Sequence, residues 1–174
     1  KDFKISIGHI GFLQELFLSI LGNEERASVL RKFLYEKNYV GYREHVKSLP
    51  LSSIDKQRLI AFISLRGGED TISRALELLE NSVGQETLSE LKELAQQLKA
   101  YGVEEYVSFD LTLVSHMSYY TGTLFEVYAG QVGSPIGNGG RYDNLLAKFG
   151  WNAPATGFAI RMDRLVEAVG AVDD

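Results

Sequence analysis

The sequence predicts an α+β fold, with a helical half followed by a half built on an antiparallel sheet. Three observations predict it. Residues 1–109 hold 30 charged side chains, 14 positive and 16 negative, whereas residues 110–174 hold only 11. That second stretch carries nine of the 17 glycines and eight of the 19 aromatic residues. The apolar period also changes along the chain, from helical spacing to alternation. Solvated helical faces consume charge, while glycines and aromatics mark turns, strands and ligand-facing surfaces.

The first element is a strand, because Phe3, Ile5 and Ile7 alternate with Lys4 and Ser6. Gly8-His9-Ile10-Gly11 then turns the chain into an apolar helix, Phe12 to Leu21, which Gly22-Asn23 ends. From Glu24 to Tyr101 no strand is expected. Amphipathic helices are expected over roughly 24–37, 41–48, 53–65, 70–81 and 85–101. The last is the clearest, with Leu88, Leu91, Leu94 and Leu98 at helical spacing. Asp70 or Thr71 is the expected N-cap of the fourth, just after the breaker pair Gly67-Gly68. This segment is expected to pack on itself as a helical lobe.

Alternation returns at Phe109, Leu111 and Leu113 and continues in a long strand, Tyr119 to Ala129. A glycine-dense bend over Gly130–Gly140 leads to a short helix, Arg141 to Phe149. Thr156 to Met162 reads as another strand, and Asp163 as the cap of a final helix. Strands joined by short connections point to an antiparallel sheet rather than a doubly wound parallel one.

Composition excludes several classes of function. The chain has 174 residues, 45% of them apolar, enough for one substantial core and too many for a disordered tail. No apolar run approaches the roughly 18 residues of a membrane span. A net charge of −5 argues against a broadly cationic nucleic-acid surface. With no cysteine, there is no disulfide, thiolate metal site or cysteine nucleophile, which fits a reducing, cytoplasmic compartment. The chain opens on Lys1-Asp2-Phe3, without an initiator Met, and is expected to be a piece of a longer protein.

Candidate chemistry is sparse. His9, His45 and His116 are far apart, with no i, i+4 pair, so no metal site is expected. Ser115-His116 and Asp110 suggest a hydrolase triad, but adjacent strand residues face opposite ways, and the reading is discarded. Gly137-Asn138-Gly139-Gly140-Arg141 reads as a tight turn, favoured over a backbone cradle for an anion. In the strand from Tyr119, alternation puts Tyr120, Gly122, Leu124, Glu126 and Tyr128 on one face. Two phenols, a carboxylate and a glycine through which a ligand could approach the backbone suit a small polar molecule with an amine or imidazole. A solvent-exposed sheet face fits them equally.

These same segments carry a resemblance. Ser118-Tyr119-Tyr120-Thr121-Gly122-Thr123-Leu124-Phe125-Glu126 resembles the histidine-recognition segment of histidyl-tRNA synthetases, Arg-Gly-Leu-Asp-Tyr-Tyr followed by Thr-Val-Phe-Glu. Gly139-Gly140-Arg141-Tyr142-Asp143-Asn144-Leu145 resembles the second, Gly-Gly-Arg-Tyr-Asp-Gly-Leu. Gly157-Phe158-Ala159-Ile160-Arg161-Met162-Asp163-Arg164-Leu165 is similar to motif 3 of class II synthetases, Gly-Phe-Ala-φ-Gly-φ-Glu-Arg-Leu. The resemblance implies a class II synthetase-like antiparallel sheet with flanking helices and a helical insertion. Its implied parts are a core strand and helix over 1–22, the insertion over 23–106, and the C-terminal part of the core over 107–174.

The departures are as informative. The synthetases' catalytic arginine falls on Ser115, and removing such a preorganised charge should cost several kcal/mol of transition-state stabilisation. Arg161 stands where motif 3 has a glycine, Asp163 replaces its glutamate, and Arg164 is retained. Motifs 1 and 2 are unmatched. The pattern resembles the regulatory subunits of short-form ATP phosphoribosyltransferase, paralogues of the synthetases in histidine biosynthesis. That resemblance implies a non-catalytic subunit that joins the short catalytic subunit in a hetero-octamer. It also implies self-association, a part in feedback by free histidine, and neither tRNA nor a cofactor as a ligand. The histidine-contacting tyrosines carry over to Tyr120 and Tyr142, with Glu126 and Arg141 from the same segments. The alternative is a catalytic-domain fragment of a histidyl-tRNA synthetase, a histidine–tRNA ligase.

Overall fold

The computed structural model describes residues 3–78, 84–130 and 132–170. The chain begins with β1 (Phe3–His9), which runs directly into α1 (Ile10–Leu21). His9 ends the strand and caps the helix, its Nδ1 accepting from the amides of Gly11 at 3.1 Å and Phe12 at 3.4 Å. Gly22, at φ 76°, ends α1 in the left-handed conformation that glycine adopts without steric cost. Next come α2 (Glu24–Tyr35), α3 (Tyr39–Ser48) and α4 (Ser53–Phe62). Their first turns are capped by Asn23, Asn38 and Ser52, each side chain accepting an amide of the first turn.

The segment expected to be wholly helical contains a strand. β2 (Arg66–Gly67) precedes α5 (Asp70–Leu78), and two residues are too few to show a period. Asp70 is the first residue of α5 and Thr71 lies buried within it; residues 79–81 of the expected helix fall outside the described residues. After α6 (Gln85–Ala100) come β3 (Val107–Asp110), β4 (Thr123–Ala129), β5 (Gly137–Tyr142), β6 (Ala155–Ile160) and α7 (Met162–Val169).

The sheet has the order β2-β3-β1-β4-β5-β6. Every pair is antiparallel except β1–β3, which is parallel. The helical segment is the long crossover that a parallel pair requires. It does not pack only on itself. Leu30, Tyr42, Leu59, Phe62 and Leu91 share one buried cluster with Ile7 of β1 and Phe109 of β3, so helices and sheet share the main core, beside a smaller cluster of Ile10, Leu113, Tyr120 and Leu124.

Register divides the sheet into two faces. Ile5, Ile7, Val107 and Phe125 point to the helical core. On the other face Ser6, Glu126, Asn138 and Ala159 form one row across four strands. This polar face carries the site. At the far edge, β6 and α7 leave Phe158 (72% exposed), Ile160, Met162 and Val166 uncovered.

Several expected boundaries move. β3 stops at Asp110, whose carboxylate accepts the Thr112 amide and turns the chain. β4 starts at Thr123, not Tyr119, because Tyr119 and Tyr120 pack their rings with Tyr142 instead of joining a ladder. The bend expected over Gly137–Gly140 is strand β5, paired on both sides, so its amides serve the sheet and form neither a tight turn nor an anion cradle. Its glycines are packing requirements. A Cβ on Gly139 would lie 2.4 Å from the Gly157 carbonyl oxygen and 2.7 Å from the Phe125 ring. The helix expected over 141–149 shrinks to a 3-10 turn, Leu146–Phe149. Asp163 does not cap α7; it lies in the first turn, where its negative charge suits the helix dipole, and Arg161 takes the cap position without a side-chain bond.

Candidate functional site

A cavity of about 360 Å³ opens on the polar face. Its floor includes Glu126 and Asn138, adjacent in the cross-strand row. Its walls come from three directions. The α2–α3 connection contributes Tyr35, Lys37 and Tyr39, the segment after β3 contributes Ser115 and His116, and the end of β6 and start of α7 contribute Arg161 and Arg164.

One end of the floor is aromatic because two glycines permit it. A Cβ on Gly140 would stand 2.8 Å from the Tyr120 ring, and one on Gly157 would stand 2.9 Å from the Tyr142 hydroxyl. Both phenols therefore lie against bare backbone. Tyr119, Tyr120 and Tyr142 contact one another, the Tyr119–Tyr142 pair edge to face at 5.4 Å between centroids. Burial, then the neighbouring Tyr119, pushes the Tyr120 pKa up to about 12. Tyr120 thus presents a neutral ring and hydroxyl.

The carboxylate on the floor is held in a chain of polar contacts. The Lys37 ammonium donates to the Tyr128 hydroxyl at 3.1 Å, and that hydroxyl donates to Oε2 of Glu126. Burial, followed by the hydrogen bond to Glu126, raises the Tyr128 pKa, so the phenol keeps its proton and remains a donor. Among the described residues no hydrogen bond reaches Oε1. Asp110 is held in the same way by one oxygen, Oδ1, which accepts from the backbone and hydroxyl of Thr112.

Four residues drawn together by the resemblance do not share one place. Tyr120 and Glu126 line the cavity, and Tyr142 backs Tyr120 from behind. Arg141 belongs elsewhere: it follows Gly140 on the opposite face and pairs with Asp143 at 2.8 Å, which raises its pKa. It lines a separate cavity with Gly122, His9 and Glu90, where His9 Nε2 and Glu90 are 3.0 Å apart. Gly122 faces the Arg141 side chain, so it does not open the floor to a ligand.

Ser115, Arg161 and Arg164 do line the cavity, whereas Asp163 does not. The Ser115 hydroxyl accepts the Met117 amide at 3.0 Å, closing a local turn. His116 packs against Tyr35, the rings tilted by 43° with centroids 3.7 Å apart. Both residues sit in irregular chain, not on a strand as the triad argument supposed, yet the triad still fails because hydroxyl and imidazole are engaged with different partners. The residues that sequence reasoning missed are Lys37, Tyr39 and Asn138. None of the three has a sequence signal of its own; Lys37 is set apart only in the fold, as the one non-glycine residue described at positive φ (53°).

The family model described as histidyl-tRNA synthetase matches residues 1–165. The chain belongs to the histidyl-tRNA synthetase family. Within it, the chain is 66% identical over 173 residues to the ATP phosphoribosyltransferase regulatory subunit of Geobacillus thermodenitrificans, covering 99% of this chain and 44% of that protein. It is 59% identical to the protein of the same name from Bacillus subtilis, over 99% of this chain and 44% of that one. The crystal structure of an ATP phosphoribosyltransferase regulatory subunit/histidyl-tRNA synthetase from Bacillus halodurans C superposes with a TM-score of 0.94 at 55% identity, covering 98% of this chain and 45% of that one. The chain thus spans under half the length of these relatives. Among its described residues no helix is long and apolar enough to cross a membrane.

Proposed function

We propose that this chain is part of a regulatory subunit of short-form ATP phosphoribosyltransferase, acting in the first step of histidine biosynthesis. The observation that carries the reading is the 66% identity to a regulatory subunit, sustained over 99% of the chain. The site supports it. Where synthetases place a catalytic arginine, Ser115 has a hydroxyl committed to its own turn, and Arg161 adds bulk and charge to the cavity. Catalysis then belongs to the short catalytic subunit, this subunit is cytoplasmic, and the synthetase-like domain self-associates within a hetero-octamer. Residues 1–22 and 107–174 form its core and 23–106 the insertion. The cavity over Glu126, walled by Tyr120, receives free histidine, with Tyr142 supporting that wall and Arg141 outside it.

The test is the transferase rate of the short catalytic subunit with and without the full-length protein that contains this segment. A marked rise in rate on addition is expected, together with no histidine-dependent exchange of pyrophosphate into ATP by the added protein alone. An unchanged rate, or exchange above the no-enzyme control, would refute the proposal.

A further inference from the structure

The β5–β6 connection, residues 143–154, exposes two large aromatic side chains. Phe149 and Trp151 are each 74% exposed. Among the described residues neither ring contacts another ring or a cation, and neither joins a buried cluster. Between Asp143 and Arg161 the sequence holds one charge, Lys148, although 24% of the chain is charged. Few charges and two prominent aromatics are the composition found at the centre of a protein–protein interface, where tryptophan is a preferred anchor.

The tip that holds them is fixed by its own backbone. The 3-10 turn Leu146–Phe149 ends at Gly150, φ 88°, and the Trp151 amide reaches back to the Leu146 carbonyl at 3.0 Å. A bond of this kind closes a turn that ends on a left-handed glycine. The Ala153 amide then donates to the Trp151 carbonyl at 3.0 Å, and Pro154 restricts the approach to β6. At the start of the connection the Asp143 amide donates to the Thr121 hydroxyl at 3.0 Å. Phe149 and Trp151 thus stand on an ordered support, so little ordering entropy is lost when a partner takes them. The same hairpin builds the cavity: β5 supplies Asn138 and Gly139 to it, and β6 runs on into Arg161.

We infer that this aromatic tip is the knob by which the regulatory subunit docks the catalytic subunit of the transferase, in an apolar recess with an acidic rim for Lys148. The inference rests on the regulatory reading given above and adds the surface through which it acts. Other occupants fit the tip less well. A second copy meeting it tip to tip across a two-fold axis would set Lys148 against Lys148. An anionic lipid or nucleic-acid surface calls for a cluster of cations, and the tip has one. The hairpin itself favours the catalytic subunit. It joins the ligand cavity to the exposed aromatics, the connection a regulator needs between what it binds and what it controls.

The experiment is calorimetric titration of the short catalytic subunit into the full-length protein that contains this segment, with sedimentation and thermal melting of that protein alone. Phe149→Ala and Trp151→Ala should each weaken the complex at least about tenfold, and the double variant should weaken it further. Lys148→Glu should weaken it more at low salt than at high salt. Tyr101→Ala, at an 83% exposed position just after α6, should leave the affinity unchanged. All these variants should melt like wild type when alone, because the altered side chains stand in solvent. Wild-type affinity in the double variant overturns the inference and leaves the regulatory reading in place. No complex with the wild-type protein overturns both. A lowered melting midpoint of the isolated double variant would show that the rest of its own chain covers the tip. Loss of self-association in that variant would show that a second copy does. Either result overturns the inference.

Discussion

Replacing Gly140 by alanine tests whether the aromatic end of the cavity depends on a bare backbone. In most strands the change would help, since glycine costs roughly 0.5–1 kcal/mol relative to alanine in an element interior. Here the new Cβ would stand 2.8 Å from the Thr123 carbonyl oxygen and 2.8 Å from both Cδ1 and Cε1 of Tyr120. The carbonyl is backbone at the start of β4 and cannot swing away. The Tyr120 ring is wedged against Tyr119, at 4.8 Å between centroids, and against Tyr142, at 6.4 Å. Overpacking of this kind costs about 1–3 kcal/mol, so the clash outweighs the propensity gain and a net loss of about 1–2 kcal/mol is expected. With a urea slope of about 1–3 kcal/mol per molar, the unfolding midpoint should fall by roughly 0.5–1 M. Near-ultraviolet circular dichroism should report the displaced tyrosine. Gly133→Ala is the control, because nothing lies within 4 Å of its added Cβ. An unchanged or raised midpoint for Gly140→Ala, with an unchanged tyrosine signal, would refute the packing argument.

Two further outcomes follow from the core and the buried phenols. Deleting residues 23–106 and closing the gap with a short linker should give an aggregating protein without a stable sheet, because Leu30, Tyr42, Leu59 and Leu91 cover Ile7 and Phe109. A soluble, cooperatively melting remainder would show that the sheet half keeps its own core. Stability should also fall as pH rises from about 10 toward 12: the folded protein holds the Tyr120 proton up to about 12, burial raises the pKa of Tyr42 too, and an unfolded tyrosine releases its proton near 10. That contribution is complete below pH 10 and lost as pH passes the folded value, so Tyr120→Phe should flatten the decline, measured by urea unfolding across this range. An identical slope in wild type and variant would show that Tyr120 titrates as it does in the unfolded chain.

Much of this protein was legible in its sequence. Helix spacing located α2 to α6 to within a few residues, alternation found β1, and three short segments carried the family resemblance. Local physics is enough for those features, since capping side chains, apolar stripes and strand alternation act between near neighbours in sequence. Elsewhere the decisive partner lay far along the chain. Gly137–Gly140 has the composition of a turn but is a strand, because Phe125, Tyr120 and the β6 backbone occupy the space that side chains would need. Arg66–Gly67 joins the sheet only because β3 offers it an edge. The recognition segments placed Arg141 beside Tyr142, yet adjacent strand residues face opposite ways, and Arg141 turns to Asp143 outside the cavity. Lys37 and Asn138 enter the site from elements about 100 residues apart, without a motif of their own. Sequence determined the elements whose energies are local; tertiary structure decided β2, β5 and which polar groups meet around Glu126, because their partners are brought together only by folding.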